Sequence, residues 1–224
     1  FEKTVWDSGE VQSDVSQFVE TKGFEPEHFR QYYVRAAVRD NRGEESSWSK
    51  GKRFLYICRE QFAWKAQWVS APMPLAQSKG GIYIRKRFKR TKTVRKAFLV
   101  SSAQGIYQPY LNGKRVSQEL FLPGWTAYEN RIQYQLWDIT EAIAEQKEHM
   151  LGCILAPGWF RGRLGETGRG IYGDRTAWMA QLYLYYEDGT REMIVTDSAC
   201  RCHAGPLLMA DLYDGETYDA RLEI

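Results

Sequence analysis

Short segments in which apolar and polar residues alternate recur along this chain, and they constrain its fold more than any other feature. Residues 82–89 and 177–186 alternate in this way. Because successive side chains of a strand point to opposite faces, a period of two predicts half-buried β-strands. The pairs Asn112-Gly113 and Asp188-Gly189 lie between or after such segments and predict two hairpin turns. The chain is therefore expected to be all-β.

The larger part of the chain, residues 63–224, is expected to form one β-sandwich of the jelly-roll type. One short helix is expected at residues 141–145, with Thr140 as its N-cap. Residues 150–156 are nearly all apolar, which predicts a central strand that is buried on both faces. Regular spacing of strands with so little helix is typical of such sandwiches. Further strands are predicted at residues 94–100, 105–111, 131–137 and 191–196.

The first part, residues 1–62, resembles the later half of a fibronectin type III-like sandwich. Its strongest predicted strand is residues 32–39, with four apolar side chains on one face. A complete sandwich of this kind needs about seven strands, and this segment supplies four or five. The opening strands are expected upstream of Phe1, so the chain is expected to be a fragment. The weaker strands are predicted at residues 4–6, 16–20 and 51–56.

Charge and composition argue against nucleic acid and membrane as partners. The net charge is only +3, from 31 basic and 28 acidic residues. The basic run at residues 84–96 holds eight Lys or Arg, but it alternates with apolar residues and fits the solvent face of two strands. The four cysteines suggest no disulfide framework, which favours a reducing compartment and a cytoplasmic location. Secretion stays open as an alternative, since the chain does not begin with Met.

A glycine-rich segment, residues 158–175, is expected to be a long loop between two strands. Six of its eighteen residues are Gly, which lets a backbone or a ligand approach closely. Aromatic faces beside Arg suit a sugar, a planar anion or a partner domain. A rigid loop packed on its own aromatic residues is the alternative. The candidate residues here are Trp159, Arg161, Arg163, Tyr172, Asp174 and Arg175, with Asp174 expected to pair with one of the arginines.

Two polar clusters could be imagined as catalytic or metal sites, and both are interpreted otherwise. Residues 211–219 are acidic and could serve glycoside hydrolysis or bind Ca²⁺. We interpret them as an exposed terminal linker, which has no walled cleft to raise the pKa of a catalytic acid. Residues 200–203 read CRCH, half of a zinc site without a second half. No metal or other cofactor is therefore expected, with Ca²⁺ left open.

Several stretches, taken together, resemble the N-terminal, non-catalytic half of bacterial α-L-rhamnosidases, a family of glycoside hydrolases. Their order and spacing match along nearly the whole chain, although each piece alone is a weak signal. The matching stretches are Trp64-Lys65-Ala66 with Trp68-Val69, residues 110–116, residues 123–126 with Tyr128 and Arg131, residues 158–165, residues 172–175 and residues 215–221.

The resemblance implies a parent enzyme whose β-sandwiches precede an (α/α)₆ barrel. In the family, acidic residues of the barrel release terminal L-rhamnose with inversion. The matching motifs all lie before the barrel, so no catalytic residue is carried over. Some members use the second sandwich as a rhamnose-binding module, in some cases with Ca²⁺, and in others it only braces the barrel.

Two positions depart from the family pattern and favour the bracing role. Ala127 stands where Asp is common, and Ala156-Pro157 stands where Gly-Asn is common. The two hypotheses are therefore a brace that contacts the catalytic barrel and, as the alternative, a module for rhamnose-containing glycans. If Trp125 and Trp159 are both buried in the sandwich, they cannot stack on a sugar, and the bracing role is favoured. Trp125 and Tyr128 join the six loop residues as candidates for this binding or domain interface.

Overall fold

The computed structural model describes residues 3–15 and 19–223 of the chain. The described chain divides into two compact units between Ala63 and Trp64. Nearly all regular structure is antiparallel β-sheet, which confirms the all-β prediction. Within the described residues, no helix combines the length and apolar character needed to cross a membrane.

The first unit is built on a two-stranded sheet of β1 (Gln31–Val34) and β2 (Lys52–Leu55), followed by a 3₁₀ turn at Arg59–Gln61. Tyr32 of β1 is buried and stacks on Phe54, with ring centres 5.6 Å apart. Its hydroxyl accepts a hydrogen bond from the backbone N–H of Glu27 at 2.8 Å. One aromatic side chain thus anchors both strands and the preceding turn.

The strand predicted at residues 32–39 is shorter than expected. Beyond β1 the backbone N–H groups of Ala36 and Val38 donate to the side-chain oxygens of Ser49 and Ser46, at 3.0 Å each. Serine hydroxyls compete with ladder carbonyls in this way and interrupt a regular sheet. Val38 is 68% exposed, so the apolar face predicted there is not buried.

The weaker strand predictions in the first unit also differ from the structure. Residues 4–6 are not a strand, and residues 16–18 of the predicted segment 16–20 lie outside the described residues. A single bridge joins Arg39 and Glu45 across the turn between them.

Within residues 64–223, two antiparallel sheets form a sandwich around one core. One sheet has the strand order β10-β9-β4-β7 and the other the order β11-β3-β8-β5-β6, while β12 and β13 form a separate hairpin. The strands are β3 (Ile82–Lys89), β4 (Val94–Gln104), β5 (Ile106–Leu111), β6 (Lys114–Arg115), β7 (Gln135–Asp138), β8 (Glu148–Ala156), β9 (Ala177–Tyr186), β10 (Arg191–Val195), β11 (Arg201–Ala204), β12 (Leu207–Asp211) and β13 (Gly215–Tyr218).

The core of the second unit lies between these two sheets. Ile82 and Leu155 from one sheet and Leu99 and Leu182 from the other are at most 1% exposed and belong to one apolar cluster. Strand β8 is central in its sheet, as its apolar sequence predicts. The hairpin turn at Asn112-Gly113 has φ values of 52° and 80°, which a two-residue turn of this kind requires.

Three local predictions for the second unit were wrong. Strand β7 begins at Gln135 instead of residue 131. Helix α1 (Thr140–Ala144) lacks the predicted threonine cap, because the Thr140 hydroxyl accepts from the N–H of Ala97 on β4 at 2.9 Å. Residues 211–219 are exposed as predicted from residue 212 to 218, but they are not a linker, since β12 and β13 pair there and the Asp211 side chain is buried.

Candidate functional site

The segment predicted as a loop, residues 158–175, begins with a short helix. Helix α2 (Gly158–Arg161) follows β8 directly, and its first turn closes with a 2.8 Å bond from Gly162 N–H to the Gly158 carbonyl. Gly158 has a φ of 51°, and a Cβ at this position would lie 2.3 Å from Cγ1 of Ile106. Only glycine fits such a site, so the entry of the loop is fixed against β5.

An aromatic surface lies where this loop meets the segment before β7. We define it as Phe121, Trp125, Trp159 and Tyr172. The Trp125 and Trp159 rings are stacked, with centres 6.1 Å apart and planes 8° apart, and Phe121 lies 5.9 Å from Trp159. Phe121 and Trp125 are 55% and 53% exposed. The segment before β7 and the loop together therefore present apolar aromatic rings to solvent.

The aromatic surface has a buried support. Tyr128 is 7% exposed, and its ring meets those of Tyr172 and Phe160 edge-on, with centres 4.9 and 5.3 Å away. Its hydroxyl donates to the Gly124 carbonyl at 2.9 Å, and burial with the nearby Tyr172 raises its pKa to about 12. Tyr128 thus stays protonated and joins the loop to the segment that carries Trp125.

Arg161 is directed inward, onto backbone oxygens. Its Nε donates to the Asp174 carbonyl at 3.0 Å, Nη1 to the Ser78 carbonyl at 2.7 Å, and Nη2 to the Gln77 carbonyl. Burial, and secondly the charge of Arg169, lower the pKa of Arg161. The guanidinium closes the loop on the turn before β3 without using a carboxylate.

The middle of the loop, at Arg163 and Arg169, is held by the β12–β13 hairpin. Arg169 lies 2.7 Å from Asp211 Oδ2 and also contacts Asp214. The N–H of Arg163 donates to Asp211 Oδ2 at 3.0 Å, and its guanidinium lies 5.1 Å from the Tyr213 ring centre. Burial would raise the pKa of Asp211, but backbone donors and Arg169 hold it below its usual range. Asp211 is the residue that fixes this part of the loop in place.

The structure brings only some of the predicted site residues together. Asp174 does pair with an arginine, but with its neighbour Arg175, at 3.1 and 3.2 Å, and both side chains are largely exposed. The aromatic predictions, by contrast, form one cluster. Sequence reasoning missed Asp211, Arg169 and Phe121; the only signal for Asp211 was its place two residues before a Tyr-Asp-Gly turn.

The acidic residues near the loop do not assemble into a metal site. Asp211 accepts four N–H donors, and Asp214 is paired with Arg163 and Arg169. Across the described part of the chain, no group of three or more His, Cys, Asp or Glu side chains is placed to hold a metal ion.

Comparison with known proteins identifies two family matches. A family model described as the α-L-rhamnosidase N-terminal domain matches residues 92–224. A second, described as the Rha78A-like, N-terminal immunoglobulin domain, matches residues 2–56. The sandwich predicted for the first segment is therefore of the immunoglobulin-like type.

Longer relatives show similarity over most of the chain. An α-L-rhamnosidase of Alteromonas sp. is 31% identical over 98% of this chain and 25% of its own length. One from Streptomyces avermitilis is 44% identical over 59% of this chain and 13% of its own length. The crystal structure of an α-L-rhamnosidase from Aspergillus terreus superposes with a TM-score of 0.72, at 28% identity, over 88% of this chain and 23% of that one.

The chain therefore spans a quarter or less of these relatives. The resemblance drawn from the sequence motifs is confirmed, because the first family match covers more than half of the 224 residues. The chain belongs to the family of α-L-rhamnosidase N-terminal domains.

Proposed function

We propose that this chain is an accessory, non-catalytic part of an α-L-rhamnosidase and that it braces the catalytic domain of the same protein. The relatives that bear this name are about four or more times longer than their match to this chain, which supports a separate catalytic domain. Hydrolysis of a glycoside needs two carboxyl groups that flank the bond. Three carboxylates around the loop, those of Asp174, Asp211 and Asp214, are paired with arginines instead.

The observation that carries the proposal is the stacked tryptophan pair of the aromatic surface, in which Trp125 is exposed and Trp159 is partly buried. Trp125 is 53% exposed, so the two rings are not both buried, and exposure alone does not exclude stacking on a sugar. Phe121 beside it has a φ of 59°, a left-handed conformation that is costly for an aromatic residue. Aromatic side chains that stand out on a rigid support are typical of the centres of protein interfaces.

Bracing is favoured over rhamnose binding for two reasons. Trp125 and Trp159 stack on each other, so each ring has already used one face. A sugar site also needs polar groups beside the ring, and Ala127 and Pro157 offer no polar side-chain atom. We propose that the brace requires no Ca²⁺, since Asp211 and Asp214 are already paired.

Substitution of Trp125 by Ala in this chain and in the parent protein tests the proposal. The isolated chain should lose no more than about 1 kcal/mol of stability, because the ring is mostly exposed. The parent protein should lose activity or melt at a lower temperature. Trp48→Ala is the matched control, since Trp48 is 55% exposed and lies in the first unit. Equal behaviour of the two variants in the parent protein would refute the brace.

Titration with L-rhamnose separates the alternative. For a brace, calorimetry of the isolated chain should detect no saturable binding, with or without Ca²⁺, and the chain should release no rhamnose from an aryl rhamnoside. Saturable binding that disappears in Trp125→Ala would instead support a rhamnose-binding module, for which the exposed face of this ring is the natural platform.

A further inference from the structure

A basic cleft lies beside the aromatic surface, between the loop and the turn before β3. Its volume is about 590 Å³, within the range of about 300–1,000 Å³ usual for small-molecule sites. The bracing role makes no use of it. The cleft is lined by Gln77, Lys79, Arg161, Arg169, Gly170, Ile171, Tyr172, Gly173 and Asp174.

Two cations of this cleft have no carboxylate partner. In the described part of the chain, neither Arg161 nor Lys79 lies within ion-pair distance of an Asp or Glu. Arg169 is paired with the β12–β13 hairpin, and Asp174, the one acidic residue of the lining, forms its ion pair with Arg175 although its charge also acts on Arg161. The cleft therefore has an excess of positive charge that a bound anion can neutralise.

Arg161 is also held in place before any ligand arrives. A guanidinium has five N–H groups, and three nitrogens of Arg161 each donate to a backbone carbonyl, those of Gln77, Ser78 and Asp174. Donors remain on the two terminal nitrogens. Because the side chain is already ordered, binding through them costs little conformational entropy. A planar carboxylate is the group that such a fork recognises best.

Part of the cleft wall is apolar and aromatic, since Ile171 and Tyr172 belong to its lining. Tyr172 is held edge-on against the buried Tyr128, and Ile171 is 50% exposed. A pyranose ring packs well on such a wall, since its C–H face is apolar and its edges are polar. The cleft volume of about 590 Å³ is sufficient for one sugar ring.

We infer that the basic cleft binds a hexuronate, an acidic sugar whose carboxylate contacts Arg161 and Lys79 while its ring lies against Tyr172. The site is distinct from the aromatic surface, although Tyr172 belongs to both. The inference does not rest on the brace, because ligand binding can be measured on this chain alone.

Calorimetric titration of the whole 224-residue chain at low ionic strength tests the inference. Glucuronic acid should bind, and added salt should weaken the binding. Glucose has the ring without the carboxylate, and acetate has the carboxylate without the ring. Glucose and acetate should each bind at least about tenfold more weakly than glucuronic acid. A loss of about tenfold in affinity is the usual effect of removing one charge-assisted contact or one packed ring.

Variants assign the binding to the cleft. Lys79→Gln should weaken glucuronic acid about tenfold, while Lys50→Gln, an exposed lysine of the first unit, should leave the affinity unchanged. Tyr172→Leu should weaken glucuronic acid but not acetate.

Three results would overturn the inference. Glucose that binds as well as glucuronic acid would show that the cations are not used. Acetate that binds equally well would reduce the cleft to a simple anion site. Preference for a poly-glutamate peptide over glucuronic acid would assign the cleft to a protein partner.

Discussion

Replacement of Asp211 by Asn tests whether one buried carboxylate fixes the loop that carries the candidate site. The Asp211 side chain is wholly buried. Oδ2 lies 2.7 Å from Nη1 of Arg169 and 3.0 Å from the N–H of Arg163. Oδ1 accepts from the N–H groups of Tyr213 and Asp214, at 2.9 and 3.2 Å. Asn keeps one oxygen and places an NH₂ group against one of these two pairs of donors.

The expected cost follows from the bonds that Asn cannot make. Two bonds are lost in either orientation of the amide, and a bond to a charged group contributes about 1.5–3 kcal/mol. Arg169 is 30% exposed, so its share lies at the lower end. The loss should be about 3 kcal/mol. Asp211→Ala loses all four bonds and should cost about 3–5 kcal/mol.

The pH dependence has a definite sign. The pKa of Asp211 is lowered in the folded chain from its ordinary value of 3.8. A lowered carboxyl pKa gives stability that is complete above the unfolded value and is lost as pH falls through the folded value. Asp211→Asn and the native chain should therefore differ fully at neutral pH and converge below 3.8.

Urea denaturation and amide hydrogen exchange of residues 162–175 provide the measurement. Asp214→Asn is the matched control, because Asp214 contacts the same arginines but is 36% exposed, and an exposed pair contributes only about 0–1 kcal/mol. Faster exchange of the loop should accompany the loss in Asp211→Asn. Equal stability of the two variants, with unchanged exchange, would refute the role assigned to Asp211.

Three further changes have expected outcomes. Trp159→Ala removes a partly buried ring and should cost about 2 kcal/mol in urea denaturation, against about 3–5 kcal/mol for the wholly buried Trp178→Ala; equal costs would place Trp159 in the core. Burial lowers the pKa of His149 below 6.5, so the folded chain loses stability as pH falls below that value. In thermal melts, the melting temperature of His149→Gln should therefore depend less on pH than that of the native chain. Gly173→Ala places a Cβ 2.4 Å from the buried ring of Phe160, so that ring must move, and the tryptophan fluorescence of the aromatic surface should shift. An unchanged spectrum would show that the Phe160 ring can move without disturbing the tryptophans.

The β-strands of the second unit could be predicted because one local rule governs them. Strands β3 and β9 have the bounds that their alternation indicates, and the Asn112-Gly113 turn needs only the conformations that these two residues favour. Each of these features depends on neighbouring residues and on one buried face. Where the face was not buried, as at Val38, the same alternation did not give a strand.

The candidate site could be predicted only as far as its residues lie close in sequence. The aromatic residues and Arg161 stand in short motifs, and the structure keeps them near one another. Asp211 lies 42 residues from Arg169 and 48 from Arg163, so its role depends on how β12 returns to the loop. An acidic, turn-rich stretch is usually solvated, and composition alone cannot distinguish a solvated carboxylate from one enclosed by donors.

The way the loop distributes its arginines connects the two proposed surfaces. Arg169 is neutralised by Asp211, which fixes the middle of the loop, while Arg161 joins the start of the loop to the Asp174 and Ser78 carbonyl oxygens, which carry no net charge. The ion pair of Arg169 stabilises the loop and leaves no net charge for a ligand. The hydrogen bonds of Arg161 also stabilise the loop, but they leave the positive charge of its guanidinium unneutralised. A loop held at these two places can support Trp159 rigidly for a brace. Among the arginines of the loop, only Arg161 has no ion pair with a described residue that neutralises its charge. We therefore expect an anion to bind only on the side of the loop where Arg161 lies.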